Sequence, residues 1–323
     1  MKKIAIIGAG ISGVSLALML KDNFRITIFE KSNMPGGRMA TKKIGPFIFD
    51  YGTQYFKIKN KFFKDFLKPL FTNSIIQPWT SKHIKIKNNI KHPCFYRGSA
   101  NNYVGVPNMN SIIQYLSSEL DISLRSKVVW INRKNNKWTF CDINNNHYDG
   151  FDWLIFTTPV EQTCKIVPEV SSFYNFIKNI RMMKCYSLLL GFYKRFFLNF
   201  DTATLFNNDI AWISRNNSKP ARPHNLCLVL NSSYEFAKKN NNSSKNTIFQ
   251  YLLNKSYKLI NNPKKPDVKY LHKWNFVEAK KHPKDNYFID IRQKIAVCGD
   301  WCVNSRVEGG FLSARDLASK IKC

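Results

Sequence analysis

The chain has 323 residues, a hydrophobic fraction of 44% and a formal charge of +29 at pH 7, enough length to bury a full core as one large or two modest domains. No run of eighteen apolar residues occurs, which argues against a membrane span; the eight cysteines are scattered without a CxxC pair, which argues against a zinc module and for free thiols in a reducing cytoplasm. The lysines are dispersed among asparagines, as in Asn240–Asn246, with no nucleic-acid-binding motif beside them, so the charge reads as solvated surface and a nucleic-acid partner stays a distant alternative.

The first thirty residues order the rest. Lys2 to Ile7 is a short apolar run, followed by Gly8-Ala9-Gly10-Ile11-Ser12-Gly13, a helix-compatible segment from Val14 to Leu20, and Ile26 to Phe29 ending on Glu30. Strand, glycine turn, helix, strand and acid in that order predict a dinucleotide-binding βαβ unit. Gly8 serves the turn, Gly10 lets the backbone approach a pyrophosphate, and Gly13 lets helix and strand pack closely. The helix N-terminus with Ser12 offers N–H groups to phosphates, and Glu30 offers a carboxylate to a ribose. Lys2-Lys3 before an apolar run also suits a secretory signal, but glycines interrupt the run and no small-x-small site precedes Lys21.

Lys31 then leads into a loop, Met34-Pro35-Gly36-Gly37-Arg38-Met39, whose arginine is placed to pair with a diphosphate. Phe47 to Phe56 reads as a strand and turn carrying Asp50, Gln54 and Tyr55. Ile112, Ile113, Leu116 and Leu120 sit at helical spacing behind Asn110 or Ser111. From Ile122 to Phe156 the chain reads as strands with asparagine-rich turns. Further strands are expected at Cys185 to Phe192 and Leu226 to Leu230, with a helix at Thr247 to Leu259. Near the end, a strand over Ile295 to Cys298 meets Gly299-Asp300, and a helix is expected from about Gly309.

The stretch Gly36-Gly37-Arg38-Met39-Ala40-Thr41, then Asp50-x-Gly52-x-Gln54-Tyr55-Phe56, resembles the renalase family of FAD-dependent oxidases, its bacterial branch in particular. Val104-Gly105-x-Pro107-x-Met109, Ala211-Trp212-Ile213-Ser214-Arg215-Asn216, and the Gly299-Asp300 end extend the likeness from residue 4 to 321. His272-Lys273-Trp274 stands where the family has His-Arg-Trp, which puts a bidentate anion contact there in doubt. Gly310 also departs from the family's usual alanine.

The resemblance implies an α/β fold: a Rossmann-like FAD-binding domain of the glutathione-reductase / p-hydroxybenzoate-hydroxylase type (residues 1–56, 99–163 and 285–323) with a mixed-sheet α+β substrate domain (57–98 and 164–284). Non-covalent FAD would be held by Gly8, Gly10, Ser12, Gly13, Glu30, Lys31, Gly37, Arg38, Met39, Gln54, Val128, Asp300, Gly310, Phe311 and Leu312. Asp300 would meet the ribityl hydroxyls, and the N–H groups of Gly310 and Phe311 the flavin pyrimidine carbonyl. Tyr55, Trp212, Arg215, Asn216 and Trp274 would face the substrate, with Lys219 nearby. Core packing for Tyr55 and a structural strand end for the Trp212 segment remain open readings.

No metal-ligand cluster or nucleophile elbow is present, and the six histidines read as surface or capping residues. No catalytic acid or base is assigned, because a bound flavin carries redox chemistry that the protein has only to position. The resemblance implies oxidation of 2- or 6-dihydro isomers of NAD(P) to NAD(P)⁺, with O₂ reduced to hydrogen peroxide. An amine oxidase or desaturase would share the FAD motifs and is the alternative. The oligomeric state is left open.

Overall fold

The computed structural model describes residues 1–87, 90–97, 102–194, 196–261 and 264–321. Its first unit is a six-stranded sheet in the order Tyr287–Asp290, Ile295–Cys298, Trp153–Phe156, β1 (Lys3–Ile7), β2 (Arg25–Phe29), Ile122–Ser123. All neighbours are parallel except the first pair. The central strand β1 is buried from Ile4 to Ile7, as a strand covered on both faces must be. On one face lie α1 (Ile11–Leu20) and the C-terminal helix Val307–Ile321, sharing a core with Ile4, Ile6, Leu16, Leu317 and Ile321. On the other lies a three-stranded meander, Val128–Lys134, Lys137–Asp142 and His147–Phe151, where Phe140 and Phe151 pack edge-on against Phe29.

The second unit is a seven-stranded sheet ordered Val268–Trp274, Cys185–Phe192, Leu226–Ser232, Ile210–Arg215, Thr202–Phe206, Lys82–Lys87, Ile90–Arg97. It is mixed: Lys82–Lys87 runs parallel to Thr202–Phe206, and the other pairs are antiparallel. Cys185–Phe192 is buried along its whole length. Helix Lys245–Ile260 covers one face through Ile248, Leu252, Leu253 and Ile260; Ser244 caps its start by accepting the Thr247 N–H, and Asn261 ends it in the left-handed region. The hairpin Thr41–Ile44/Phe47–Asp50 covers the other, setting Phe47 and Phe49 against Leu189 and Val229. This hairpin ties the second sheet to the glycine loop before it.

Two differences from the sequence-based division have a packing cause. Phe63, Leu67, Leu70, Ile76 and Trp79, placed with the second domain, join the core of the first; Val167, Phe173, Ile177 and Met182 do the same on the opposite face. Chain position after a crossover does not decide which sheet an apolar side chain reaches. The expected division between 98 and 99, and the side chains of Cys94 and Cys323, lie outside the described residues. The helix after Asn110 runs only Ser111–Leu116, and Asn110 is not its side-chain cap: its Nδ2 donates instead to the Pro35 carbonyl at 2.8 Å. No helix among the described residues is long and apolar enough to cross a membrane.

Candidate functional site

Between the two sheets lies a cavity of about 1890 Å³, larger than the roughly 300–1,000 Å³ typical of one small-molecule ligand. Its floor is the glycine turn. Gly8 turns with φ +112°, its N–H donating to the Phe29 carbonyl at 2.8 Å, while Thr157 Oγ1 donates to the Gly8 carbonyl at 2.9 Å. A Cβ on Gly13 would sit 2.0 Å from the Gly8 carbonyl oxygen, so only glycine lets α1 rest on this turn. A Cβ on Gly10 would meet no protein atom within 4 Å. The space it leaves open lies on the cavity wall, beside Ser12. Glu30, 6% exposed, accepts the N–H groups of Ala9 and Ser32, both at 2.9 Å, which aims the carboxylate along the mouth of the turn. Lys31 and Val128 line the same end.

The second glycine loop docks on the first: the Gly36 N–H donates to the Ala9 carbonyl at 2.9 Å. Arg38, directed by the sequence toward a diphosphate, binds the Val277 carbonyl at 2.5 Å and pairs with Asp300. The glycine loop near the N-terminus and the Gly299-Asp300 turn near the other end therefore meet across the cavity. The C-terminal helix begins at Val307, earlier than expected, so Gly310 and Phe311 fall inside its first turns. The Gly310 N–H donates to the Arg306 carbonyl at 3.0 Å, and a Cβ there would lie 2.8 Å from Ile11 Cγ2. Gly310 thus serves close helix packing. Phe311 is core, 4.8 Å from the Phe66 ring, and Leu312 packs on the same cluster. The residues of this helix that line the cavity are Val307 and Glu308. Met39 lines it while buried to 2% exposure in the first core.

The second domain supplies aromatic walls. Tyr51 stacks on Trp274 with centroids 5.1 Å apart, and His272 meets both rings at 5.0 and 4.4 Å. Trp274 Nε1 donates to the Tyr51 carbonyl at 3.1 Å. Tyr55 lies 6.1 Å from Trp212, and His83 stacks on that indole at 5.7 Å. Gln54 Nε2 donates to the Asp50 and Gly52 carbonyls at 2.5 and 3.1 Å, which holds the loop carrying these rings. Burial, with Lys245 and Lys42 nearby, depresses His272 to about 4, so its imidazole is neutral at pH 7. Neither His83 nor His272 is the surface or capping residue expected: a lone histidine carries no periodic signal, and both are half-buried in rings that arrive from distant segments.

Three side chains expected to meet substrate do not line this cavity. Arg215 pairs with Asp201 at 2.5 Å and donates to the Leu198 carbonyl. Asn216, fully buried, donates to the Ile48 carbonyl at 2.8 Å and accepts the Asp50 N–H at 3.3 Å. Lys219 forms a buried triad with Asp50 (3.1 Å) and Arg222 (2.7 Å to the same carboxylate). The strand end Arg215–Lys219 is thus a seam between the sheets, the structural alternative for that segment, while Trp212 alone faces the cavity.

Electrostatically the cavity is one-sided. Lys31, Arg38, Lys42, Lys43, Lys57, Lys59, Lys127, Lys165, Lys273 and Arg306 line it against Glu30, Glu278, Asp300 and Glu308. Those carboxylates are already engaged. Glu308 accepts the N–H groups of Lys59 and Asn60 at 2.7 and 2.9 Å, and Glu278 accepts the Tyr234 hydroxyl, which with burial pushes that phenol up. Apart from Arg38, none of these cations has a carboxylate within 4.0 Å among the described residues, so an entering anion meets positive charge that no acid nearby offsets.

The glycine turn on the first sheet, the carboxylate ending the second strand and the facing mixed sheet make a two-domain fold with a Rossmann-like dinucleotide site. The residues fit a dinucleotide there: an open wall at Gly10, a carboxylate at the ribose end and an arginine at the second glycine loop. Residues 6–70 match the family model of the NAD(P)-binding Rossmann-like domain. Across 59 residues, 18% of this chain, it is 39% identical to the 1-hydroxycarotenoid 3,4-desaturase of Flavobacterium sp. (strain P99-3), the match spanning only 12% of that relative's length. Its fold is similar over 99% of this chain and 98% of the other to that of a protein described as a candidate protoporphyrinogen oxidase from Exiguobacterium sp. 255-15, with a TM-score of 0.82 and 12% identity. The cyclohexylamine oxidase of Brevibacterium oxydans IH-35A is similar over 100% of both chains, with a TM-score of 0.72 and 11% identity.

Proposed function

We propose that this chain is an FAD-dependent oxidase acting on an anionic dihydronicotinamide dinucleotide, the 2- or 6-dihydro isomers of NAD(P). When bound, FAD supplies hydride acceptance at N5 and return of the two electrons to O₂ as hydrogen peroxide. The chain's own part is positional. Gly8, Gly10 and Ser12 would leave room for the diphosphate, Glu30 would accept from a ribose, and Arg38 and Asp300 hold together the two loops that meet across the cavity. Tyr51, Tyr55, Trp212 and Trp274 offer flat faces for a second planar ring and exclude water from it. Hydride transfer needs such stacking and alignment and no proton donor, which agrees with a cavity whose carboxylates are all engaged and whose His272 is neutral.

The observation that carries this reading is the cation surplus around aromatic walls. It favours phosphates over the charged amines of the amine-oxidase alternative, and it disfavours the apolar polyene of a desaturase. A porphyrinogen bearing carboxylates is the second reading, favoured by the same cations and by the likeness to the Exiguobacterium protein.

The test is anaerobic mixing of the yellow protein with the 2- and 6-dihydro isomers of NAD(P), ordinary NADH, a primary amine and coproporphyrinogen. Rapid bleaching of the flavin by the isomers is expected. Bleaching by the amine or the porphyrinogen instead would move the substrate assignment to that class.

A further inference from the structure

The edge strand Val268–Trp274 presents Trp274, His272 and Tyr270 on one face, because alternate residues of a strand point the same way. Trp274 and His272 line the cavity; Tyr270 continues the row past its rim. Over the Tyr270 ring stand two ammonium groups, Lys42 Nζ at 4.3 Å and Lys245 Nζ at 5.4 Å from the centroid. They come from opposite sides, Lys42 from the hairpin that covers the sheet and Lys245 from the first turn of helix Lys245–Ile260. Among the described residues no carboxylate lies within 4.0 Å of either ammonium group. Two like charges on one ring, at the end of a row of aromatics, repel each other until an anion joins them.

The geometry points to a phosphate subsite for the substrate, formed by Lys42 and Lys245 at the Tyr270 end of the row, with the substrate's ring at the Trp274 end. This deepens the reading of the cavity as a dinucleotide oxidase and rests on it. Four residues of strand separate the two ends by about 13 Å, so a ring and a phosphate of one molecule sit at distinct places. His272 between them is depressed first by burial and then by Lys245 and Lys42. The subsite positions substrate without touching the reacting atoms, so its loss belongs in KM.

The experiment uses the FAD-loaded protein and the double variant Lys42→Ala/Lys245→Ala, with Lys320→Ala as a remote lysine control. Inorganic pyrophosphate is titrated against each by calorimetry. Wild type and the control bind it; the double variant binds at least about tenfold more weakly, as the loss of charge-assisted contacts requires. In steady-state oxidation of 6-dihydro-NAD the double variant shows a KM raised by a similar factor and kcat within about twofold, while a dihydronicotinamide riboside, which has no phosphate, is oxidised alike by both. Equal pyrophosphate binding by wild type and the double variant overturns the subsite. So does an equal loss in Lys320→Ala, or a kcat defect shared by the riboside. If no dihydronicotinamide bleaches the wild type yet pyrophosphate binding still depends on Lys42 and Lys245, the subsite stands and the redox substrate alone is reassigned.

Discussion

Asp50, Lys219 and Arg222 have side chains no more than 1% exposed, and one carboxylate oxygen serves both cations. Their energies are unequal. Burial alone would raise Asp50, but Lys219 and Arg222, with hydrogen bonds from Arg222 and the Met109 N–H, hold it at about 2 against an ordinary 3.8, about 2 kcal/mol in favour of the folded state at neutral pH. Lys219 falls to about 8 from 10.5, because burial and the neighbouring Arg222 outweigh the pull of Asp50. Its charge is therefore a cost to folding. Asp50→Asn leaves two buried cations without a counterion and is expected to destabilise by about 3–5 kcal/mol, whereas Lys219→Met keeps the Asp50–Arg222 pair and should fall within about 1 kcal/mol of wild type or above it. The signs with pH follow. Between about 8 and 10.5 the unfolded chain holds the Lys219 proton and the folded one does not, so wild type gains on Lys219→Met as pH rises through that window. The Asp50 contribution is present above 3.8 and is lost as pH falls from there to about 2. Urea unfolding of the three proteins at pH 7 and pH 9.5 reads both effects, with a midpoint loss of about 1–2 M for Asp50→Asn. Equal losses in the two variants, or a difference between wild type and Lys219→Met that ignores pH, would refute the asymmetry.

The glycine turn separates protein packing from ligand room. Gly13→Ala drives a Cβ into the Gly8 carbonyl and should lower the melting temperature of FAD-free protein sharply; Gly10→Ala should leave that temperature within a few degrees and instead weaken FAD retention, so equal behaviour of the two in thermal unfolding with and without FAD would discard the assignment. His272, at about 4 instead of 6.5, should show no protonation by NMR from pH 8 to 5.5, and its part in stability should decline as pH falls from 6.5 toward 4; a titration midpoint at or above 6.5 would mean the ring is not shielded as described.

What was legible in the sequence was local or carried by fixed spacing. Gly8 to Glu30 announces its turn, helix and strand within thirty residues, and the buried strand Cys185–Phe192 shows itself as an apolar run broken only by Ser187 and Gly191. The Arg38–Asp300 pair was not legible: 262 residues separate the two, and the resemblance directed the arginine to a diphosphate and the aspartate to ribityl hydroxyls. The seam was not legible. Asp50 and its cations are 169 and 172 residues apart, and Lys219 in a run of polar residues reads as solvent-facing until a carboxylate is seen beside it. Arg215 and Asn216 were misread for the same reason: polar residues at a strand end suit a substrate and a domain junction equally well. Gly310 was misread through a boundary, because a helix start displaced to Val307 turns a free N–H into an internal one.

The meeting of Arg38 with Asp300, and of Ile11 with Gly310, has a consequence for biosynthesis. The nucleotide-gripping turn is synthesised about 300 residues ahead of its closing partners, roughly 15–60 s at ordinary translation speed. Throughout that interval the nascent protein carries half a grip, lined with lysines and with nothing to shut it. Loading with its nucleotide therefore waits until Asp300 and the helix Val307–Ile321 have been made, and clipping that helix should yield colourless protein even where every glycine of the opening turn is intact.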